Sequence, residues 1–179
     1  MEENHHHMNR PLVSIVIVNF NGRELLEPCL GSVYAQAYHP IEVIVVDNGS
    51  TDDSVAYIRR AFPEVRIVEN SENLGFAGGN NRGVERAHGE YVALLNNDTV
   101  VEREWLVALM DRMQAGKSSI VASKVLTDGI TERMYEMNGT VNFLGYNIPE
   151  KFSDLSTIFY ASAASLLYRR SLVQCPFLD

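Results

Sequence analysis

The feature that most constrains this chain is a regular alternation of β-branched runs with stripes of helical period. Val13 to Val18 reads V-S-I-V-I-V, Ile41 to Val46 reads I-E-V-I-V-V, and Tyr91 to Leu95 reads Y-V-A-L-L. Runs of this kind suit strands buried on both faces. Val65 to Val68 and Ser119 to Val125 add two more. Between them, Leu25, Leu26, Cys29, Leu30 and Val33 fall on one helical stripe, and Trp105, Leu106, Leu109, Met110 and Met113 repeat that spacing. Val55, Ile58 and Phe62 share a helical face that Pro63 ends. Asn70 to Gly79 reads as a loop, and Ala77 to Ala87 as a weaker helix stopped by His88-Gly89. Strands and helices in this order need crossover connections. The expected fold is therefore α/β, a mostly parallel sheet with helices on both faces.

After Lys124 the pattern changes. Thr127 to Pro149 mixes glycines and asparagines with short apolar pieces, which suggests a hairpin around Asn138-Gly139. Ile158 to Tyr168 reads as a further core strand, and Arg169-Arg170-Ser171 as the opening of a last helix. At the other end, residues 1–10 read as a tag or disordered leader, because His5, His6 and His7 precede Met8.

Charge narrows the function classes. Lys and Arg total 15 against 23 Asp and Glu, a formal charge of −8 among 179 residues. That balance argues against nucleic acid and against nonspecific binding to an anionic membrane face. An anionic substrate would need local help, from a cation or from aimed backbone N–H groups. The two cysteines, Cys29 and Cys175, show neither metal spacing nor a disulfide framework, so a reducing compartment is expected. No apolar run reaches the roughly 20 residues of a membrane span. Met1-Glu2-Glu3-Asn4 does not open a signal peptide. The expected location is the cytoplasm, or the inner face of the membrane as a peripheral protein.

In open parallel sheets, ligands sit outside the carboxyl ends of the strands. Here those ends are Asn19 to Gly22, Asp47 to Asp52 and Asn96 to Thr99, all rich in Asp and Asn. No G-x-G-x-x-G fingerprint follows the first strand and no Walker A sequence occurs, which disfavours a nicotinamide, a flavin or a P-loop phosphate site. Asn48 to Asp52 reads well as a turn and helix cap. Asp47 is left over, because a carboxylate at the buried end of a sheet is costly without a partner. Asp98 is well placed for a hard divalent cation, which takes one or two protein carboxylates and completes its shell with phosphates and water. The structural reading of that segment is a helix start, with Thr99 and Glu102 at capping-box spacing. Three glycosylation sequons, at Asn48, Asn97 and Asn138, read as coincidence, since two of them fall on these turns.

Four motifs, V-S-I-V-I-V-N-F-N-G, V-I-V-V-D-N-G-S-T-D, N-L-G-F-A-G-G-N-N-R-G and G-E-Y-V-A-L-L-N-N-D-T, closely resemble the family 2 glycosyltransferases in order and spacing. The later Y-A-S-A-A-S-L-L-Y-R-R resembles that family's small-residue strand, and the nearest branch looks like the bacterial rhamnosyltransferase-type members. The likeness runs from Pro11 nearly to the end. It implies a GT-A fold and inverting transfer of a sugar from a nucleoside diphosphate-sugar donor to a saccharide or lipid-linked saccharide acceptor, in bacterial surface polysaccharide synthesis. On that resemblance, residues 11–125 are the nucleotide-sugar-binding half and 126–179 an incomplete start of the acceptor side.

Carried over by position, Asp47 would contact the nucleotide base, and Asn19 and Asn21 would lie beside the donor. Gly79 and Asn80 would run along the nucleotide and diphosphate. Asn96-Asn97-Asp98 stands where the family has D-x-D, giving Asp98 the metal-ligand role toward Mn²⁺ or Mg²⁺, with Asn96 in place of the first Asp. The family's catalytic base is a carboxylate expected beyond Phe177-Leu178-Asp179. Within the chain no residue is assigned to it, since Glu150 and Asp154 lie in an irregular segment and Asp179 is terminal. Two other readings stand beside the first. One is a donor-binding module that does not transfer sugar. The other is a nucleotidyltransferase, disfavoured because Asn19 to Arg23 offers a single basic residue for a triphosphate. Leu166, Leu167, Phe177 and Leu178 are expected to form an exposed apolar surface that favours self-association.

Overall fold

The computed structural model describes residues 10–116, 119–123, 138–141, 147–149, 160–161 and 164–172. Its first part alternates as the pattern requires: β1 (Val13–Asn19), α1 (Arg23–Tyr34), β2 (Ile41–Asp47), α2 (Ser54–Ala61), β3 (Arg66–Glu69), α3 (Gly75–Val84), β4 (Tyr91–Asn96), α4 (Trp105–Gln114) and β5 (Ile120–Ala122). Then come β6 (Asn138–Val141), β7 (Asn147–Pro149), β8 (Tyr160–Ala161), β9 (Ser165–Arg169) and one 3-10 turn, Arg170–Leu172. Six strands form one sheet in the order β3-β2-β1-β4-β9-β5. β1 pairs in parallel with both β2 and β4, and β2 with β3, while β9 runs antiparallel between β4 and β5. The α/β, mostly parallel architecture is therefore present.

Side chains alternate along each central strand and feed two cores. Ile15, Ile17, Val43, Val45 and Ala93 pack with Leu26, Leu30, Ile58, Leu106 and Met110 from α1, α2 and α4. Val16, Ile44, Val46, Val92 and Leu94 face the other way, toward Val84 of α3. Strands with both faces covered explain why β1 and β2 read as continuous apolar runs rather than as alternation.

α3 realises the weaker helix expected over Ala77 to Ala87, with its bounds shifted toward the amino terminus. It begins at Gly75, inside the stretch read as a loop, and ends at Val84. Four glycines and asparagines in a row give little intrinsic helicity, but tertiary packing overrides it. A Cβ at Gly79 would lie 2.7 Å from Val18 Cγ1, and one at Gly83 would collide with Val16 and stand 2.9 Å from Val46 Cγ2. The glycines let α3 rest directly on β1 and β2.

Other expectations also shift. Asn138-Gly139 is not a turn: both residues lie inside β6, paired with β7 on one side and β8 on the other. Pairing on both sides outweighs the local turn preference of Asn-Gly. The Ile158 to Tyr168 strand is divided, with β8 and β9 in different sheets. Leu166 and Leu167 are 4% and 0% exposed, because β9 inserts between β4 and β5. They form no exposed apolar surface; Phe177 and Leu178 lie outside the described residues. The Thr99–Glu102 capping box is absent as well. α4 starts later, at Trp105, whose N–H bonds the Glu102 carbonyl.

The amino-terminal edge of the sheet, remote from the strand tips that carry the Asp and Asn residues, is pinned by one carboxylate. Glu42 Oε1 accepts from the Ser14 hydroxyl and from the N–H groups of His88 (2.6 Å) and Gly89 (3.2 Å), and Oε2 accepts from Arg66 (3.0 Å). Burial pushes the Glu42 carboxyl up, but these donors together hold it below the ordinary glutamate range. A depressed carboxylate contributes stability above its unfolded pKa and loses it as pH falls through the folded one. Glu42→Gln should therefore cost about 1–3 kcal/mol near pH 7, the scale of lost hydrogen bonds to a charge. In urea unfolding across a pH series, the gap between variant and parent should close below the ordinary glutamate pKa of about 4.3.

Candidate active site

The register of the sheet assembles the site. Asn19 stands opposite Asp47 across β1 and β2, and Val18 opposite Asn96 across β1 and β4, so three strands end at one level. Asn19 is 0% and Asp47 3% exposed. Asp47 Oδ2 accepts the Ser50 N–H at 2.9 Å, closing the turn after β2, while Oδ1 faces Asn19 Nδ2 at 3.5 Å. Asn19 Nδ2 also lies 3.4 Å from Ser50 Oγ, and its Oδ1 accepts from Asn97 Nδ2 at 2.9 Å. Asn21 has a left-handed backbone (φ 49°), which asparagine tolerates. Its N–H donates to Ser50 Oγ and its Oδ1 accepts from Thr51 N–H, at 2.9 and 2.8 Å. The loops after β1 and β2 are thus strapped together by the residues expected to lie beside the donor.

Asn48 is the organiser that sequence reasoning missed. Only 2% of its surface is exposed. Nδ2 donates to Asn73 Oδ1 and the Gly75 carbonyl (2.9 and 3.0 Å), and Oδ1 accepts from Asn70 Nδ2 and Leu74 N–H (3.0 and 3.2 Å). One amide with its two donors and two acceptor sites filled fixes the loop between β3 and α3 against the β2 tip. A signal was present, since Asn70 and Asn73 stand in the N-S-E-N run, but a turn preference explains each asparagine equally well.

These loops surround a cavity of about 310 Å³. Val18 and Leu95 form part of its wall, the half-exposed rings of Phe20 and Phe76 flank it, and Asn48, Asn73, Asn80, Asn96 and Asn97 supply its polar surface. Asn80, 2% exposed, donates to the Phe76 carbonyl at 2.9 Å. Among the described residues the lining holds no charged side chain. Of the expected site residues, Asn80, Asn96 and Asn97 line the cavity; Asn19, Asp47 and Gly79 lie behind it, in the packing and hydrogen bonds just described. Phe20, Phe76 and Asn73 line it without having been singled out. Amide edges beside aromatic faces suit a planar polar group.

Asp98 is exposed and accepts from the Thr99 hydroxyl at 3.4 Å. Among the described residues no three His, Cys, Asp or Glu side chains gather as a metal site. A donor set of one carboxylate with the neighbouring Asn96 carbonyl group fits a hard divalent ion only where phosphate and water complete its shell. Cys29 is no ligand candidate: burial, aided by the Asp98 charge, pushes its thiol up to about 12, and its Sγ lies 3.7 Å from the Asn96 carbonyl. Arg23, the first cation after β1, stacks 3.3 Å from the Tyr57 ring centroid instead of standing free for a triphosphate.

The architecture is shared with solved GT-A glycosyltransferases. A mannosyltransferase from Pyrobaculum calidifontis, in complex with GDP-Man and Mn²⁺, superposes with a TM-score of 0.61 at 29% identity, over 65% of this chain and 36% of that one. The glycosyl transferase family 2 model matches residues 14–177, and the chain belongs to that family. Glycosyltransferase AglE of Haloferax volcanii is 29% identical over 92% of this chain and 54% of its own length. A protein described as a teichuronic acid biosynthesis glycosyltransferase, TuaG of Bacillus subtilis, is 33% identical over 58% of this chain and 42% of its own length. The chain thus covers about a fifth to a half of the length of the curated relatives it matches.

Asn48→Ala would remove four hydrogen bonds at once, those to Asn73, Gly75, Asn70 and Leu74. It should lower stability by about 1–3 kcal/mol or somewhat more, read by urea unfolding, and hydrogen exchange should accelerate at Leu74 and Gly75 ahead of the central strands.

Proposed function

We propose that the chain is the donor-binding part of an inverting glycosyltransferase. It would take a sugar from a nucleoside diphosphate donor to a saccharide or lipid-linked saccharide acceptor, in synthesis of a bacterial surface polysaccharide. The observation that carries this is the cavity at the joined tips of β1, β2 and β4, lined by amides and aromatic rings, with Asp98 exposed on the same β4 tip. The GDP-Man and Mn²⁺ of the mannosyltransferase and the polysaccharide role ascribed to TuaG support the reading.

In this reading the base of the nucleotide lies against the amide and aromatic lining, with Asp47 shaping the turn at its edge. Gly79 and Asn80 run beside the nucleotide and diphosphate. Asp98, with Asn96, would hold Mn²⁺ or Mg²⁺. Such an ion, once bound, neutralises charge on the departing diphosphate as a Lewis acid, a contribution of several kcal/mol. The chain's own −8 charge makes that neutralisation more necessary. Val18 and Leu95 keep water from one side of the site, which strengthens every charge interaction beside it. Inversion requires a base on the face of the sugar opposite the diphosphate. Among the described residues no carboxylate lines the cavity. That observation favours a second reading, in which these residues bind donor but do not transfer sugar by themselves.

One measurement tests the metal role and a second separates the readings. In calorimetry, Mn²⁺ should strengthen binding of a nucleoside diphosphate relative to EDTA, and Asp98→Ala should remove most of that gain; equal affinity in both buffers would rule out the Asp98 metal role. In a donor-consumption assay with a panel of polysaccharide acceptors, the chain should bind donor yet transfer slowly, since a missing positioned base costs roughly 10²–10⁴-fold. Transfer at ordinary enzyme rates would mean that a carboxylate within these residues serves as the base.

A further inference from the structure

The donor-binding reading places the nucleotide across the strand tips, and the role inferred for Asn19 rests on that reading. Asn19 was expected to touch the nucleotide, yet it is 0% exposed. Its orientation is forced. The Asp47 carboxylate can only accept, so Asn19 must turn its NH₂ group toward Asp47 and Ser50. Its carbonyl oxygen then faces the other way, where Asn97 Nδ2 donates to it at 2.9 Å. We propose that Asn19 is a positioning residue whose buried amide, bonded to Asn97 on one side and to the Asp47–Ser50 turn on the other, sets the base-side and metal-side loops as one unit.

Three contacts support this role. Asn97 is the middle residue of the Asn96–Asp98 turn and lines the cavity, so its placement moves with that of Asn96 and Asp98. Ser50 also accepts from the Asn21 N–H, so the turn that Asn19 reaches is strapped to the β1 loop as well. Gly22 leaves the space the bond needs. A Cβ there would sit 2.5 Å from both Asn19 Oδ1 and Asn97 Nδ2, wedged against the two bonded atoms. Gly22 has an ordinary negative φ of −113°, so the requirement is one of room and not of backbone conformation.

The test is a double-mutant cycle on binding. Affinities of UDP and GDP are measured by calorimetry, in Mn²⁺ and in EDTA, for the parent, Asn19→Ala, Asn97→Ala, the double variant and Gly22→Ala. Each single change should weaken binding about tenfold, within the usual range for coupled neighbours, and the double variant should be no weaker than the worse single. The affinity gained from Mn²⁺ should shrink in every variant, because the two loops no longer share a register. A loss of general packing would lower the melting temperature and leave that gain intact. Should Asn19→Ala fail to fold, Asn97→Ala, Gly22→Ala and the variant carrying both, all outside the strand interior, form a second cycle. Losses that multiply to about a hundredfold in the double variant, or an unchanged Mn²⁺ gain, would overturn the inference while the donor reading stands. A parent that binds neither nucleotide in either buffer would overturn both.

Discussion

Three parallel strands that stop at the same level create the constraint on which the rest depends. At the tips of β1, β2 and β4 the regular ladder ends, and Asn19 and Asp47 are buried there. Polar groups in such a place are tolerated only when hydrogen-bonded. The structure meets the demand laterally, with each tip satisfying its neighbour: Asn97 donates to Asn19, Asn19 faces Asp47, and Asp47 closes its own turn on Ser50. The same residues that solve a burial problem thereby hold three loops in a fixed relation, which is what a binding surface made of loops requires.

α3 completes the arrangement from one side. Because Gly79 and Gly83 bring its backbone onto β1 and β2, Asn80 and Phe76 reach the level of the strand tips instead of standing a side chain further out. Asn48 then binds the loop that leads into this helix. Low helix propensity and a short distance to the sheet are two aspects of one choice, and glycine supplies the second at the expense of the first.

Much of this was legible in the sequence. The strand runs V-S-I-V-I-V and I-E-V-I-V-V locate the central pair to within a residue, because a doubly covered parallel strand has few other compositions available. The helical stripes of α1 and α4 were equally direct. The rule that ligands lie at carboxyl strand ends pointed at three loops that the structure brings together around one cavity. What was not legible depended on contacts distant in sequence. Nothing local separates Asn48, whose amide is fully engaged, from an asparagine that simply favours a turn. The helix over Ala77 to Ala87 was only weakly legible and its start at Gly75 was not, since the packing that holds it lies in Val16, Val18 and Val46. Asn19 could be placed near the site but not behind its surface, because burial at a strand tip follows from which strands flank it. Leu166 and Leu167 were legible as residues of a core strand, but the exposed apolar surface also expected of them was not found, because β9 is inserted between β4 and β5.

The charge of the chain and the neutrality of the cavity are two sides of one electrostatic constraint. A pocket that presented cations to a diphosphate would need them near the tips, yet Arg23 is committed to Tyr57 and the cavity lining is uncharged. Amides and rings hold a planar polar group without selecting for charge, and they do so whatever the net charge of the protein. In the proposed reading an anionic group would be managed at the outer edge, where Asp98 is exposed and a hydrated divalent ion would not have to lose all its water. In the proposed reading the site is thus divided by dielectric: uncharged recognition inside the cavity, charge compensation at its mouth. Replacing Asn96 by a second carboxylate would place another negative group beside Asp98, favouring the ion but also repelling a diphosphate whenever the ion is absent. A single carboxylate flanked by amides keeps the mouth less negative, so ion and diphosphate are better placed to arrive together than in sequence.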